Sequence, residues 1–306
     1  MSSIFLNKFF TKLDSLRKTL FGLMAINNFF WKLINKSGIN QYNSSNSSLT
    51  KHKQELLDDL KRDGIAIARV EDFSEDLFFD LTSYKEQRKI YSKKDKNKEY
   101  LHYYLGGSHH RDPPQEFDNF NPLVEFSVNS DLLNIINSYF RMFCRLIYLE
   151  INETKVLNTD SLARASQNFH RDPGVRGCIK VFVYLNDVEE GGGAFTYIRQ
   201  THTLGKYKDL FNRRFSGVGS TYPNEVELKN NIDEKNIFKV YGQAGTVIIA
   251  DTTGIHKGGL STKKSREMTT SVFYPPGEFH KSRLIFNFNF NELNLSVKQI
   301  FALRDF

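Results

Sequence analysis

The chain has 306 residues, 40% of them hydrophobic and 14% aromatic, which supports one large core, or a domain with an extension, and excludes a disordered chain. Its net charge of +7 is uneven: residues 1–50 hold Lys8, Lys12, Arg17, Lys18, Lys32 and Lys36 against Asp14, so the basic balance belongs to an N-terminal arm and no nucleic-acid partner is expected. Two cysteines, Cys144 and Cys178, make no disulfide framework and suit a reducing cytoplasm, and with no long apolar run neither a transmembrane helix nor a signal peptide is expected.

At the N-terminus, Leu6, Phe9, Phe10, Leu13, Leu16, Leu20, Leu23 and Met24 recur at three- and four-residue spacing with the cations mostly off that stripe. This predicts a basic amphipathic helix. Such a helix either touches a membrane surface peripherally or packs on protein, on the rest of the chain or on a second copy. Residues 37–50, rich in Ser and Asn, read as a flexible linker, which sets a domain boundary near residue 50. A helix is predicted over 51–62, stopped by Gly64, and a strand over 65–70. Residues 71–130 carry little pattern. They include a solvated charge run at 93–98 and a His-x-Asp pair, His110 and Asp112, beside His109. Pro113 and Pro114 follow that pair at once and remove ladder donors, so it reads as a loop feature and not as the metal site, with lining of the substrate entrance left open to it.

A helix over 131–143 and a strand over 144–151 come next. From there to residue 289, short strands alternate with Gly-containing turns, the pattern of a jelly-roll or cupin-like barrel. The strands are placed at 162–171, 178–186, 194–199, 237–241, 246–250, 256–259, 267–274 and 283–289. The fold class is therefore mainly β with flanking helices. Between two of these strands lies a charged insertion, 204–235, of a length that suits a lid or binding loop.

The chemistry concentrates in three places. His170 and Asp172 stand two apart on a predicted strand and so share a face, giving one nitrogen and one anionic oxygen donor to a divalent metal. His256, just beyond the apolar run 246–250, offers the distant third donor. Two histidines and a carboxylate form the ligand set of non-haem Fe(II) oxygenases. Arg266 opens the next strand, where its planar fork can take a carboxylate through two hydrogen bonds. On 178–185 the parity puts Ile179, Val181, Val183 and Leu185 on one aliphatic face and Lys180, Phe182 and Tyr184 on the cavity side. By the same rule Ser166 and Asn168 join His170 and Asp172, and Met268 and Thr270 join Arg266.

These pieces together, His170-x-Asp172, then Val181 to Gly193, then Asp251-Thr252-Thr253-Gly254-x-His256-x-Gly258-Gly259, then Arg266, resemble the phytanoyl-CoA dioxygenase family over roughly residues 51–290. The resemblance implies a double-stranded β-helix with Fe(II) as cofactor and 2-oxoglutarate and O2 as cosubstrates, acting on a small-molecule or carrier-bound substrate. It implies His170, Asp172 and His256 as metal ligands and Arg266 as the anchor of the 2-oxoglutarate carboxylate. Thr270 is a candidate hydroxyl donor to that carboxylate, Phe182 an aromatic beside it, and Asn168 a contact to ligand or cosubstrate. Lys180 either pairs with a carboxylate there or runs to solvent. His202 sits where the family has a Pro-Gly-Ser-His turn and reads as a turn residue. Asp172 argues against halogenation, since related halogenases lack that carboxylate. Two other readings stay open: a catalytically inactive binding module on the same fold, and a cupin-type metalloenzyme that does not use 2-oxoglutarate.

Overall fold

The computed structural model describes residues 17, 20–45, 48–91, 101–106, 114–157, 163, 165–211 and 221–304. The stripe from Leu6 to Leu16, the charge run at 93–98, His109, His110 and Asp112, and the middle of the 204–235 insertion lie outside them.

Two antiparallel sheets form the body. In chain order the strands are β1 (Ile65–Arg69), β2 (Leu101–Leu105), β3 (Gln115–Phe117), β4 (Arg145–Thr154), β5 (Ile179–Tyr184), β6 (Phe195–Ile198), β7 (Ile237–Val240), β8 (Thr246–Asp251), β9 (His256–Lys257), β10 (Arg266–Tyr274) and β11 (Leu284–Phe286). The larger sheet runs β1-β8-β5-β10-β4-β2 and the smaller β7-β6-β9. The expected 283–289 strand joins neither: β11 pairs in parallel with β3 beside the body.

Side-chain alternation on β5 divides the core. Ile179, Val181, Val183 and Leu185 pack with Leu56, Leu60, Leu133 and Ile136 of the covering helices, while Phe182 and Tyr184 pack with Phe195, Tyr197 and Met268 between the sheets. Burial of each large apolar side chain stabilises by roughly 1.5–3 kcal/mol, so both faces hold β5 in register. The covering helices are Lys51–Asp63 and Ser130–Phe140. Thr50 caps the first by accepting from Lys53 N, and Gly64 ends it at φ 80°, a left-handed conformation that costs glycine little.

The segment expected as a linker is instead helical over Lys36–Ser44, preceded by a helix over Asn28–Ile34. Both dock on the domain. Asn35 is fully buried and its Oδ1 accepts from Gly277 N at 2.7 Å. Phe143 N donates to Gly38 O at 3.0 Å, and the Arg176 guanidinium lies over the buried Trp31 ring, 5.0 Å away. Ser and Asn composition marks a linker, but within it the Gly38 carbonyl and the Tyr42 hydroxyl, which donates to Ser138 Oγ at 3.2 Å, tie the segment to the domain. No helix among the described residues is long and apolar enough to cross a membrane.

Candidate metal centre

Between β4 and β5 the chain departs from the expected strand. Residues Ala165–Gln167 form a single 3-10 turn, and among the described residues there only His170 and Arg171 make isolated bridges, to His256 and Thr221. Parity therefore fails at its start: Gln167 is buried and Ser166 exposed. The two donors still share a side because backbone pairing with residues 252–256 fixes them. His170 N and His256 N each donate to the other's carbonyl at 2.9 Å, and Asp172 N donates to Thr252 O at 2.8 Å. The expected 256–259 strand is correspondingly only the two residues of β9.

His170, Asp172 and His256 thus come together, their ligand atoms all within 4.8 Å of one another. Asp172 Oδ1 is 3.8 Å from His170 Nε2, and Oδ2 is 3.5 Å from His256 Nε2. Each histidine is oriented by a main-chain carbonyl: His170 Nδ1 lies 2.9 Å from Asn168 O and His256 Nδ1 3.0 Å from Gly254 O. A carbonyl only accepts, so both Nδ1 atoms carry the proton and both Nε2 lone pairs face the cluster. Asn168 therefore contacts a ligand, as one of its two expected roles has it, but through its backbone carbonyl; its side-chain amide donates to Ala163 O.

Burial, followed by the neighbouring His170, pulls the His256 pKa down to about 3, and burial also lowers that of His170. Burial pushes the Asp172 carboxyl up, but Lys180 and the two histidines outweigh this and hold it below the usual carboxylate range. All three shifts act in one direction. Between pH 6.5 and about 3 the unfolded chain binds protons at His256 that the folded chain refuses, so stability is full above pH 6.5 and lost on acidification. We expect the metal-free protein to lose stability from pH 6.5 towards pH 4, by up to about 1.4 kcal/mol per pH unit from His256. Denaturant melts across that range check this, and a His256→Asn variant with the same slope as the parent contradicts it.

Arg266 enters from the opposite end of β10. Its Nη1 donates to Gly193 O and Gly258 O, the latter at 2.9 Å, and its Nη2 to Thr154 Oγ1 at 3.1 Å. The residue is only 3% exposed, and no described carboxylate pairs with it. Burial accordingly lowers its pKa. Its Nε and the Oγ1 of Thr270 are buried without a hydrogen-bond partner. Thr270 stands across from Phe182 on β5 and Glu150 on β4. Phe182 packs on Phe195 at 4.8 Å, whose ring lies 5.6 Å from that of His256.

Lys180 goes elsewhere. It pairs with Val272, at the far end of β10 from Arg266, and its Nζ lies 2.7 Å from Asp172 Oδ2. Of the two readings, a carboxylate partner is realised, but that carboxylate is Asp172. His202 is a buried turn residue whose Nε2 contacts Lys61 O at 3.0 Å, outside the cluster.

Other neighbours were not foreseen. Glu150, Asn152 and Thr154 line β4 opposite Thr270, Met268 and Arg266. Polar residues at alternate positions 150, 152 and 154 are the available signal, and a strand expected to end at 151 does not reach two of them. Tyr222 stacks on His170 with centroids 5.7 Å apart. It borders a cavity of about 620 Å³ whose wall includes Arg171, Leu210, Asp209, Asn224 and Glu227. Arg171 braces that wall by donating to Thr253 O at 2.7 Å and Leu210 O at 2.9 Å.

A jelly-roll that gathers two histidines and an aspartate between its sheets defines a class of barrel with a mononuclear-type donor set. The family model of phytanoyl-CoA dioxygenase (PhyH) matches residues 68–268, and the chain belongs to that family. Among solved structures, the epimerase SnoN in complex with Fe3+, alpha ketoglutarate and nogalamycin RO is 14% identical with a TM-score of 0.54, over 76% of this chain and 87% of its own. EctD from S. alaskensis with bound Fe is 15% identical with a TM-score of 0.52, over 79% of this chain and 83% of its own. At that identity the likeness is one of fold: a double-stranded β-helix with flanking helices. No curated protein matches the chain.

Proposed function

We propose that the protein is an Fe(II)- and 2-oxoglutarate-dependent oxygenase that hydroxylates a small-molecule or carrier-bound substrate. The observation that carries this reading is Arg266: a buried guanidinium with no acidic partner among the described residues, in the same barrel as the His170, Asp172 and His256 donors. An unpaired buried cation is costly, and a dicarboxylate cosubstrate supplies its partner.

Two imidazole nitrogens and one carboxylate oxygen fit Fe(II) and leave positions open for other ligands. His170, Asp172 and His256 would hold the metal. Arg266, with the unpartnered Thr270 hydroxyl, would take the far carboxylate of 2-oxoglutarate, and Phe182 would wall its path. Iron with 2-oxoglutarate and O2 supplies the power to oxidise an unactivated C–H bond while the cosubstrate becomes succinate and CO2. The chain's own part is orientation: the carbonyls of Asn168 and Gly254 aim the imidazoles, and Arg266 fixes the cosubstrate. The substrate would approach through the cavity beside Tyr222. Both cysteines are buried and free, which agrees with a reducing cytoplasm.

Anaerobic addition of Fe(II) and 2-oxoglutarate should give a weak visible charge-transfer band that His170→Ala abolishes. Succinate release against a substrate panel, with that variant as blank, then identifies the substrate. A product heavier by one oxygen atom supports hydroxylation; unchanged mass with an inverted centre supports epimerisation. A parent with no band speaks for the binding module, and turnover without 2-oxoglutarate for the other cupin chemistry.

A further inference from the structure

Lys180 makes a contact that anchoring a cosubstrate does not explain. Its side chain projects from β5 into the barrel between Ala250 and Val272, and its ammonium ends 2.7 Å from Oδ2 of Asp172. Asp172 Oδ1 points instead towards His170 Nε2. Oδ2 also lies 3.5 Å from His256 Nε2, so both oxygens of this carboxylate reach the histidine donors and one of them meets the ammonium as well.

We propose that Lys180 is a positioning residue that withholds Oδ2 of Asp172 from the metal, keeping this carboxylate a one-oxygen ligand at the expense of metal affinity. The inference rests on the reading of His170, Asp172 and His256 as metal ligands. A free carboxylate can offer both oxygens to a cation and so fill two positions. An ammonium on one oxygen competes for that lone pair and leaves the position to other ligands. Its charge also acts on the metal itself. The attraction between Lys180 and Asp172 is present with and without metal and largely cancels, whereas the repulsion between the ammonium and a divalent cation exists only in the loaded protein. Removing the charge should therefore tighten metal binding. This sign separates the proposal from its rivals. A lysine that only neutralises Asp172 for folding predicts equal or weaker metal binding once it is gone. A lysine that contacts cosubstrate predicts unchanged metal affinity.

The test uses Co(II), whose visible absorption reports coordination number, on the full chain and on Lys180→Met and Lys180→Gln. Titration should show Co(II) bound on the order of tenfold more tightly by the Met variant, with Gln between it and the parent. The change in the Co(II) spectrum on adding 2-oxoglutarate should shrink in both, as the second oxygen of Asp172 takes the open position. If Met prevents folding, the Gln variant decides alone. Equal or weaker Co(II) binding in a folded variant, or a 2-oxoglutarate response as large as the parent's, overturns the proposal. A parent that binds Co(II) but ignores 2-oxoglutarate sinks the proposed function, while the affinity comparison still judges Lys180.

Discussion

Arg266→Met is expected to raise the half-saturating concentration of 2-oxoglutarate by two to three orders of magnitude while leaving metal binding near the parent value. The magnitude follows from what is removed. A desolvated, hydrogen-bonded charge partner costs about 2–5 kcal/mol when truncated, and every 1.4 kcal/mol is tenfold. The separation of the two effects follows from the structure, because Arg266 touches Gly193, Gly258 and Thr154 and none of the three clustered donors. Arg266→Lys should recover only part of the loss, since an ammonium restores charge but not the planar fork. Titrating the charge-transfer band with 2-oxoglutarate at fixed Fe(II) measures both quantities. If 2-oxoglutarate binds Arg266→Met as it binds the parent, the guanidinium has another purpose and the reading of the cavity fails with it.

What could be read in advance followed the physical strength of each signal. On β5 the alternation is uninterrupted and both faces are buried, so the parity that sent Ile179, Val181 and Val183 to the helices and Phe182 and Tyr184 inward is the observed one. Arg266, Met268 and Thr270 share a face of β10 for the same reason. Parity does not describe the approach to His170 because it needs a strand, and the chain there makes a 3-10 turn, after which the carbonyls of His256 and Thr252 hold His170 and Asp172. That is why His170 and Asp172 keep a common side while Asn168 turns its amide away. Long-range backbone pairing of this kind leaves no trace in side-chain sequence. The N-terminal helices are hidden for a related reason: their docking runs through the Trp31 ring, the side chain of Asn35 and the carbonyl of Gly38, single contacts that no repeating pattern announces. The destination of Lys180 was equally hidden, since a lysine reaches any carboxylate within its stem length.

Asp251→Ala is expected to cost about 3–5 kcal/mol of stability and to weaken metal binding with it. Asp251 is fully buried at the end of β8, and its carboxylate has no ion-pair partner among the described residues. It is satisfied instead by five donors. Oδ2 accepts from Tyr139 OH at 2.7 Å and Thr203 Oγ1 at 3.1 Å. Oδ1 accepts from Cys178 N at 3.2 Å, Thr253 N at 3.0 Å and Thr253 Oγ1 at 2.7 Å. These donors belong to the covering helix, the turn after β6, the segment leaving Asp172 and the turn leading to His256. One side chain therefore locks the two ligand-bearing segments to each other and to the helix above. Alanine leaves two buried backbone N–H groups and three hydroxyls without their acceptor, and hydroxyls can rotate away where N–H groups cannot. Asp251→Asn keeps one oxygen for the Cys178 and Thr253 donors, so it should fold nearly as stably as the parent. Its amide can still donate to the Tyr139 and Thr203 hydroxyls, but these are neutral bonds in place of charge-assisted ones, so the lock loosens on that side. We therefore expect the Asn variant to melt within a few degrees of the parent yet bind Co(II) more weakly. Thermal melts and Co(II) titration of both variants test this together. If Asp251→Ala melts with the parent, or if the Asn variant binds Co(II) unchanged, the metal ligands are held by the backbone pairing of His170 with His256 alone.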